Sequence, residues 1–223
     1  MNQGRNDKEI SIRAEAVRLG GILTIPKTQR GLVVFVHGSG SSRYSPRNRY
    51  VAERLNDAGL GTLLFDLLTG AEAENRANVF DIDLLADRLN TATNWVRNEA
   101  AAAAQLGYFG ASTGAAAALV AAARAPNEVA ALVSRGGRPD LAGSLLMAVT
   151  APTLLIVGGR DKVVLDLNRQ AQAQLAGESR LEVVPGATHL FEEPGALDHV
   201  AALASSWFLE HFASGPDGLT PST

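Results

Sequence analysis

The sequence predicts an α/β fold: a mostly parallel central sheet with an antiparallel hairpin at its N-terminal edge, helices on both faces and no lid domain. Three observations predict it. The run Leu32-Val33-Val34-Phe35-Val36 is continuously apolar, as a strand buried on both faces should be. Further strand-like runs alternate with helical periods at the spacing of strand-helix-strand units, whose crossovers are right-handed. The composition, 46% apolar and 19% charged over 223 residues, supplies a large core and excludes disorder, collagen-like repeats and coiled coil as the main architecture.

The elements follow in order. Segments 10–19 and 21–25 read as two strands meeting at Gly20-Gly21 and closed by Pro26, which is a hairpin at a sheet edge. After the strand 32–36 and a polar loop, 50–58 has helical spacing and stops at Gly59, a residue suited to the position just past a helix. A strand at 61–65 and a loop after Asp66 lead to a long amphipathic helix at 80–98, with Ile82, Leu85, Leu89 and Val96 near one face. The alanines at 100–104 end a helix, and 106–109 is a short strand. An alanine-rich helix at 113–123 stops before Pro126, and strands follow at 129–133 and 152–157. The stretch 134–151 between them has room for a short helix and turns only, so the site is open. A helix at 165–175, a strand at 181–184 and a helix at 196–212 complete the chain. Residues 10–213 are expected to form a single domain, with 1–9 and 214–223 as flexible termini.

Charge and composition narrow the function. A formal net charge of −3 offers no footprint for nucleic acid or an anionic bilayer. With no cysteine, disulfides, thiolate nucleophiles and Cys-ligated metal sites are excluded. No pair among His37, His189, His199 and His211 has H-E-x-x-H spacing, and no metal or organic cofactor is expected. The polar opening segment is not followed by an apolar signal-peptide core, and no run approaches a membrane span, so the expected location is the cytoplasm.

Ligands of parallel sheets bind beyond the carboxyl ends of the strands, so the chemistry is to be read there. Gly110-Ala111-Ser112-Thr113-Gly114 sits between a strand and a helix, the context in which G-x-S-x-G holds an exposed, strained nucleophile. The alternative is a helix-capping serine in a packing turn. The motif is no phosphate loop, since Ala115 stands where the lysine would be, and the dinucleotide G-x-G-x-x-G is missing. A serine hydroxyl needs a base held by a third group. In the order Ser, Asp, His, the candidates beyond later strands are Asp161 in Gly159-Arg160-Asp161 and His189 in Ala187-Thr188-His189. Asp66 is the rival acid, Asp161 could instead cap the next helix, and His199 and His211 read as surface or packing residues. The turn His37-Gly38-Ser39-Gly40 can present the Ser39 amide beside that of Thr113 as an oxyanion hole, with His37 structural.

This set of motifs resembles the α/β-hydrolase superfamily and, within it, the dienelactone hydrolase family, over nearly the whole chain from about Ile10 to Phe212. Dienelactone hydrolase proper uses a cysteine nucleophile, and this chain has Ser112 at that position. Relatives with serine are esterase-like, and some are similar to domains fused to phosphoribosyltransferases. The resemblance implies a serine-dependent hydrolase of an ester, lactone or thioester. Two alternatives stand beside it: an acyl transferase using the same triad, and a catalytically silent fold used as a binding module. Arg43, Arg47, Arg135 and Arg138 all lie near strand ends. Arg43 and Arg138 are candidates for binding an anionic group of a small soluble substrate, and pairing with neighbouring acids is the competing role. The sequence leaves the oligomeric state open.

Overall fold

The computed structural model describes residues 6–101 and 104–213. One sheet holds strands β1 (Asn6–Ala14), β2 (Val17–Ile25), β3 (Leu32–Val36), β4 (Gly61–Phe65), β5 (Leu106–Ala111), β6 (Ala131–Arg135), β7 (Thr153–Gly158) and β8 (Ser179–Val184). Their order across the sheet is β1-β2-β4-β3-β5-β6-β7-β8. The β1-β2 and β2-β4 pairs are antiparallel, and all pairs from β4 to β8 are parallel. Every residue of β3, β4, β5, β6 and β7 is buried, which is why these strands read as apolar runs without alternation.

The helices are α1 (Pro46–Asp57), α2 (Gly70–Glu74), α3 (Arg76–Val79), α4 (Ile82–Trp95), α5 (Thr113–Arg124), α6 (Lys162–Gln172) and α7 (Ala196–Ala213). On one face, Leu85, Leu89 and Ala92 of α4 and the alanines of α5 join Val34, Leu63 and Tyr108 of the sheet in one apolar cluster. On the other, Val51 and Leu55 of α1 and Val200, Trp207 and Phe208 of α7 cover Val33, Phe35, Phe109 and Ile156. Alanine suits α5 because residues 113–122 are buried on every side, between the sheet, α4 and the 3-10 turns of Pro139–Ala148. Among the described residues no helix is long and apolar enough to cross a membrane.

Several boundaries differ from the sequence reading. The hairpin turns at Glu15-Ala16, where Ala14 pairs with Val17 and Glu15 takes the positive φ of 51° that a two-residue turn needs. Gly20-Gly21 lies inside β2 instead. A Cβ on Gly20 would sit 2.6 Å from Nη1 of Arg43, so glycine here admits a neighbouring side chain rather than a turn. Residues 6–9 of the segment expected to be flexible belong to β1, while the expected tail 214–223 lies outside the described residues. Helix α1 begins at Pro46, capped by Ser45, whose Oγ accepts the Asn48 N–H at 3.3 Å. The loop after Asp66 contains α2 and α3, and the helix expected over 80–98 is α4 followed by a π-helical turn at Val96–Ala100.

The two-face burial sets the expected response to core truncation. Leu89→Ala, at a fully buried position under α4, should cost roughly 2–5 kcal/mol. Met147→Ala, at a position 64% exposed, should stay within about 0.5 kcal/mol. Urea midpoints with unchanged m-values would register both; equal shifts would contradict the layered core.

Candidate active site

The turn from β5 into α5 has little space. A Cβ on Gly110 would lie 2.5 Å from Cα of Ala115, and one on Gly114 would lie 2.2 Å from the carbonyl oxygen of Val36. Glycine at both positions lets the first turn of α5 press onto β3 and β5. Between them Ser112 adopts φ 52°, ψ −122°, a conformation costing a non-glycine residue about 1–3 kcal/mol. Neighbouring backbone holds it there: the Ser112 N–H donates to Arg135 O at 3.3 Å, and Ser112 O accepts from Ala115 N–H and Arg138 N–H, each at 3.1 Å. Its side chain makes no helix-capping bond, which sets aside the capping-serine alternative.

Asp161 occupies the N-cap position of α6, yet its carboxylate also makes no cap bond. Its Oδ2 instead lies 2.6 Å from Nδ1 of His189. The loop carrying His189 is held by the Glu193 carboxylate, which accepts the Thr188 N–H at 3.0 Å; that bond keeps Glu193 below the usual carboxylate range. Ser112 and His189 flank the end of β6, since Arg135 O receives the Ser112 N–H and a Cβ on Gly136 would lie 3.5 Å from His189 Nδ1. Among the described residues no hydrogen bond joins Ser112 to His189. Catalytic hydrogen bonds are often long before substrate binds.

The Ser39 N–H donates to Oγ1 of Thr113 at 2.9 Å, so the two residues expected to form an oxyanion hole are in contact. The Thr113 N–H is the first of α5 and has no partner within its helix. Nε2 of His37 accepts the Leu67 N–H at 3.1 Å, which puts the ring proton on Nδ1, 3.0 Å from Gly38 O. The ring thus fastens the Ser39 turn to the segment after β4. Burial pulls its pKa below the ordinary 6.5, despite the opposing Gly38 bond and Asp66 charge. The rival acid Asp66 is taken up by Arg43, accepting its backbone N–H at 2.7 Å and ion-pairing with its guanidinium. His199 is exposed on α7, and His211 bonds Trp207 O through Nδ1 at 2.8 Å.

The arginines near the strand ends are paired within the chain, the competing role expected for them. Arg43 is engaged by Asp66, and Arg138 forks onto both carboxylate oxygens of Asp140 at 2.8 and 2.7 Å. Arg47 pairs with Glu192 at 3.2 Å. Arg135 is buried, reaches Oδ1 of Asn48 at 3.3 Å and stacks 5.9 Å above Phe191. Burial, and after it the Arg47 charge, push its pKa down to about 10. Glu193 and Asn168, whose Nδ2 holds Gly137 O at 3.0 Å, support the site without any motif to announce them. Among the described residues no group of three or more His, Asp or Glu side chains is arranged to hold a metal ion.

Known proteins share this arrangement of elements. The family model Hydrolase_4, serine aminopeptidase S33, matches residues 27–138. The crystal structure of a dienelactone hydrolase from Anabaena variabilis superposes with a TM-score of 0.90 at 55% identity, covering 94% of this chain and 99% of that one. Est1E from Butyrivibrio proteoclasticus superposes at 0.79 with 17% identity, covering 92% and 99%, a likeness of fold. Two Mycobacterium tuberculosis proteins named as phosphoribosyl transferases are 62% identical over 214 residues, covering 95% of this chain and 48% of each of theirs. The chain thus spans about half the length of these curated relatives.

The half-buried His37, held neutral by the Leu67 N–H, makes folding stability pH-dependent. Its folded pKa lies below the unfolded 6.5, so the unfolded state takes up the proton first. Its contribution to stability is complete above pH 6.5 and is lost as pH falls below it, with a limiting slope of about 1.4 kcal/mol per pH unit. Urea denaturation between pH 7 and 5 should show a steeper loss for the wild type than for His37→Gln. Parallel profiles would mean that His37 is not held neutral.

Proposed function

The chain belongs to the α/β-hydrolase family, as a dienelactone hydrolase-like protein, and we propose that it is a serine hydrolase cleaving an ester, lactone or thioester of a small substrate through an acyl-enzyme. Residues 10–213 act as one catalytic domain. The reading is carried by the 2.6 Å contact between His189 Nδ1 and Asp161 Oδ2, made by an aspartate that stands at a helix N-cap and does not cap it. An imidazole donating Nδ1–H to Asp161 leaves Nε2 as an acceptor, the form a general base must have.

Ser112 Oγ attacks the substrate carbonyl carbon as its proton passes to Nε2 of His189, and Asp161 steadies the imidazolium. The oxyanion is received by the Thr113 N–H at the start of α5 and by the Ser39 N–H. At rest the Ser39 N–H is bonded to the Thr113 hydroxyl, so the substrate oxygen takes over a donor that is already oriented. The carbonyl carbon then loses its alcohol or thiol, which leaves with the proton from Nε2. Water repeats the sequence on the acyl-enzyme, giving up a proton to His189 and releasing the carboxylic acid with Ser112 restored. The phosphoribosyl transferase name belongs to proteins about twice this length, while the hydrolase match lies within this chain.

Ser112→Ala should reduce hydrolysis of p-nitrophenyl esters by several orders of magnitude and abolish fluorophosphonate labelling, with the thermal midpoint retained. Retention of more than about a tenth of the wild-type kcat would overturn the nucleophile assignment. Asp161→Asn should cost about 10⁴ in kcat by offering His189 the wrong partner, and Asp66→Asn far less. The reverse ranking would make Asp66 the acid.

A further inference from the structure

A cavity of about 330 Å³ opens beside the turn at 37–42. A Cβ on Gly38, one of its lining residues, would lie 2.9 Å from Ser112 Cβ, so the cavity begins next to the proposed nucleophile. Its apolar walls come from Leu67, Leu68, Ala73, Val79 and Leu85, in the segment that runs from β4 through α2 and α3 into α4. Ser39, Ser41, Ser42 and Thr69 add hydroxyl groups to the lining. Asp66 is the one carboxylate among the described lining residues, and Arg43 engages both its oxygens. His37 is neutral through its bond from Leu67. A larger groove of about 500 Å³ lies between α1 and strands β2 and β4. Ser112 and His189 are among the described lining residues of neither, and it is the smaller cavity that includes Gly38, which packs against Ser112.

Sheet order decides which part of an ester enters the smaller cavity. Across the carboxyl edge the strands run β4-β3-β5-β6-β7-β8. Ser112 follows β5, the cavity is built on the β3 and β4 side, and His189 follows β8 on the other. His189 must face the leaving group in order to protonate it, so the leaving group departs on the β8 side and the acyl chain lies toward β3 and β4.

We infer that the cavity is an acyl pocket selective for an uncharged apolar chain, an inference resting on the serine-hydrolase reading above. Its volume, at the small end of ligand pockets, matches about ten water-sized groups, enough for a hexanoyl or phenylacetyl chain. A carboxylate at the chain end would be partly desolvated against leucine and valine side chains. Among the described lining residues Asp66, already engaged by Arg43, is the one carboxylate, and there is no lysine or arginine to receive the substrate's. Selection therefore runs against anionic acyl groups.

The test compares kcat/KM of the purified protein for p-nitrophenyl acetate, p-nitrophenyl hexanoate and the mono-p-nitrophenyl ester of adipic acid, which share one leaving group. The hexanoate should exceed the adipate ester by at least tenfold. Ala73→Trp, at an exposed position of α2 where folding is not at risk, should lower the hexanoate-to-acetate ratio about tenfold. Adipate turned over as well as hexanoate, or an unchanged ratio in Ala73→Trp, would overturn the acyl pocket and leave the esterase reading standing. If none of the three esters is hydrolysed and no fluorophosphonate labels Ser112, the esterase reading itself fails and the pocket assignment falls with it.

Discussion

The layout of the site depends on one constraint, the close approach of α5 to β3 and β5 around Ser112. No Cβ fits at Gly110 or Gly114 without meeting backbone atoms, so the chain leaves the strand and enters the helix within a single residue. That residue must take a positive φ, which Ser112 does at 52°. The same step directs the first N–H groups of α5 and the Ser112 side chain beyond the carboxyl edge of the sheet. A wider turn would let serine relax to an ordinary conformation and would lose this juxtaposition. The local cost is of order 1–3 kcal/mol. It is small beside the burial of α5, whose residues 113–122 are all enclosed by the sheet, α4 and the 3-10 segment.

Around that turn the supporting contacts are mostly main-chain. Arg135 O and Arg138 N–H bracket the Ser112 peptide, Asn168 secures Gly137 O, and His37 ties the Ser39 turn to Leu67. Parallel strands deliver these groups to a common edge because each one enters from the same end of the sheet. The His189 loop is the more exposed partner, anchored by Thr188 to Glu193 and by Phe191, which is buried between Arg135 and the α7 face of the core. The serine turn is thus held by more buried contacts than the loop that carries His189.

How much of this was legible in the sequence follows from how far apart the interacting residues lie. The fully buried strands were legible because burial on both faces removes alternation, and the residues after them were legible because G-x-S-x-G, Gly-Arg-Asp and Ala-Thr-His each sit at a strand end. The hairpin was misplaced because Gly20-Gly21 carries the signature of a turn, although its glycine makes room for Arg43, 23 residues away. Helices α2 and α3 are too short, at 5 and 4 residues, to show a period, although Thr69 and Glu72 form a capping box. The pairing of Arg43 with Asp66 and the fork of Arg138 onto Asp140 depend on side-chain direction, which spacing alone does not give. Asp161 shows the same limit: its position reads equally as a cap or an acid, and only the carboxylate's turn toward His189 separates the two.

The arginine pairings also bear on how charge is distributed at the site. Arg43, Arg47 and Arg138 each meet a carboxylate, so these three charges are offset where they stand. Arg135 is the exception, and its charge lies inside the protein, on the α1 and α7 side of the sheet and under Phe191. Its contact with the loop that carries His189 is the Phe191 ring. The cavity beside Gly38 is walled largely by apolar side chains, with Asp66 engaged by Arg43, even though the sequence around the strand ends is rich in arginine. On the acyl-pocket proposal specificity would be set by the short segment after β4, the part of the chain with the weakest secondary-structure signal, and the reacting groups by the sheet.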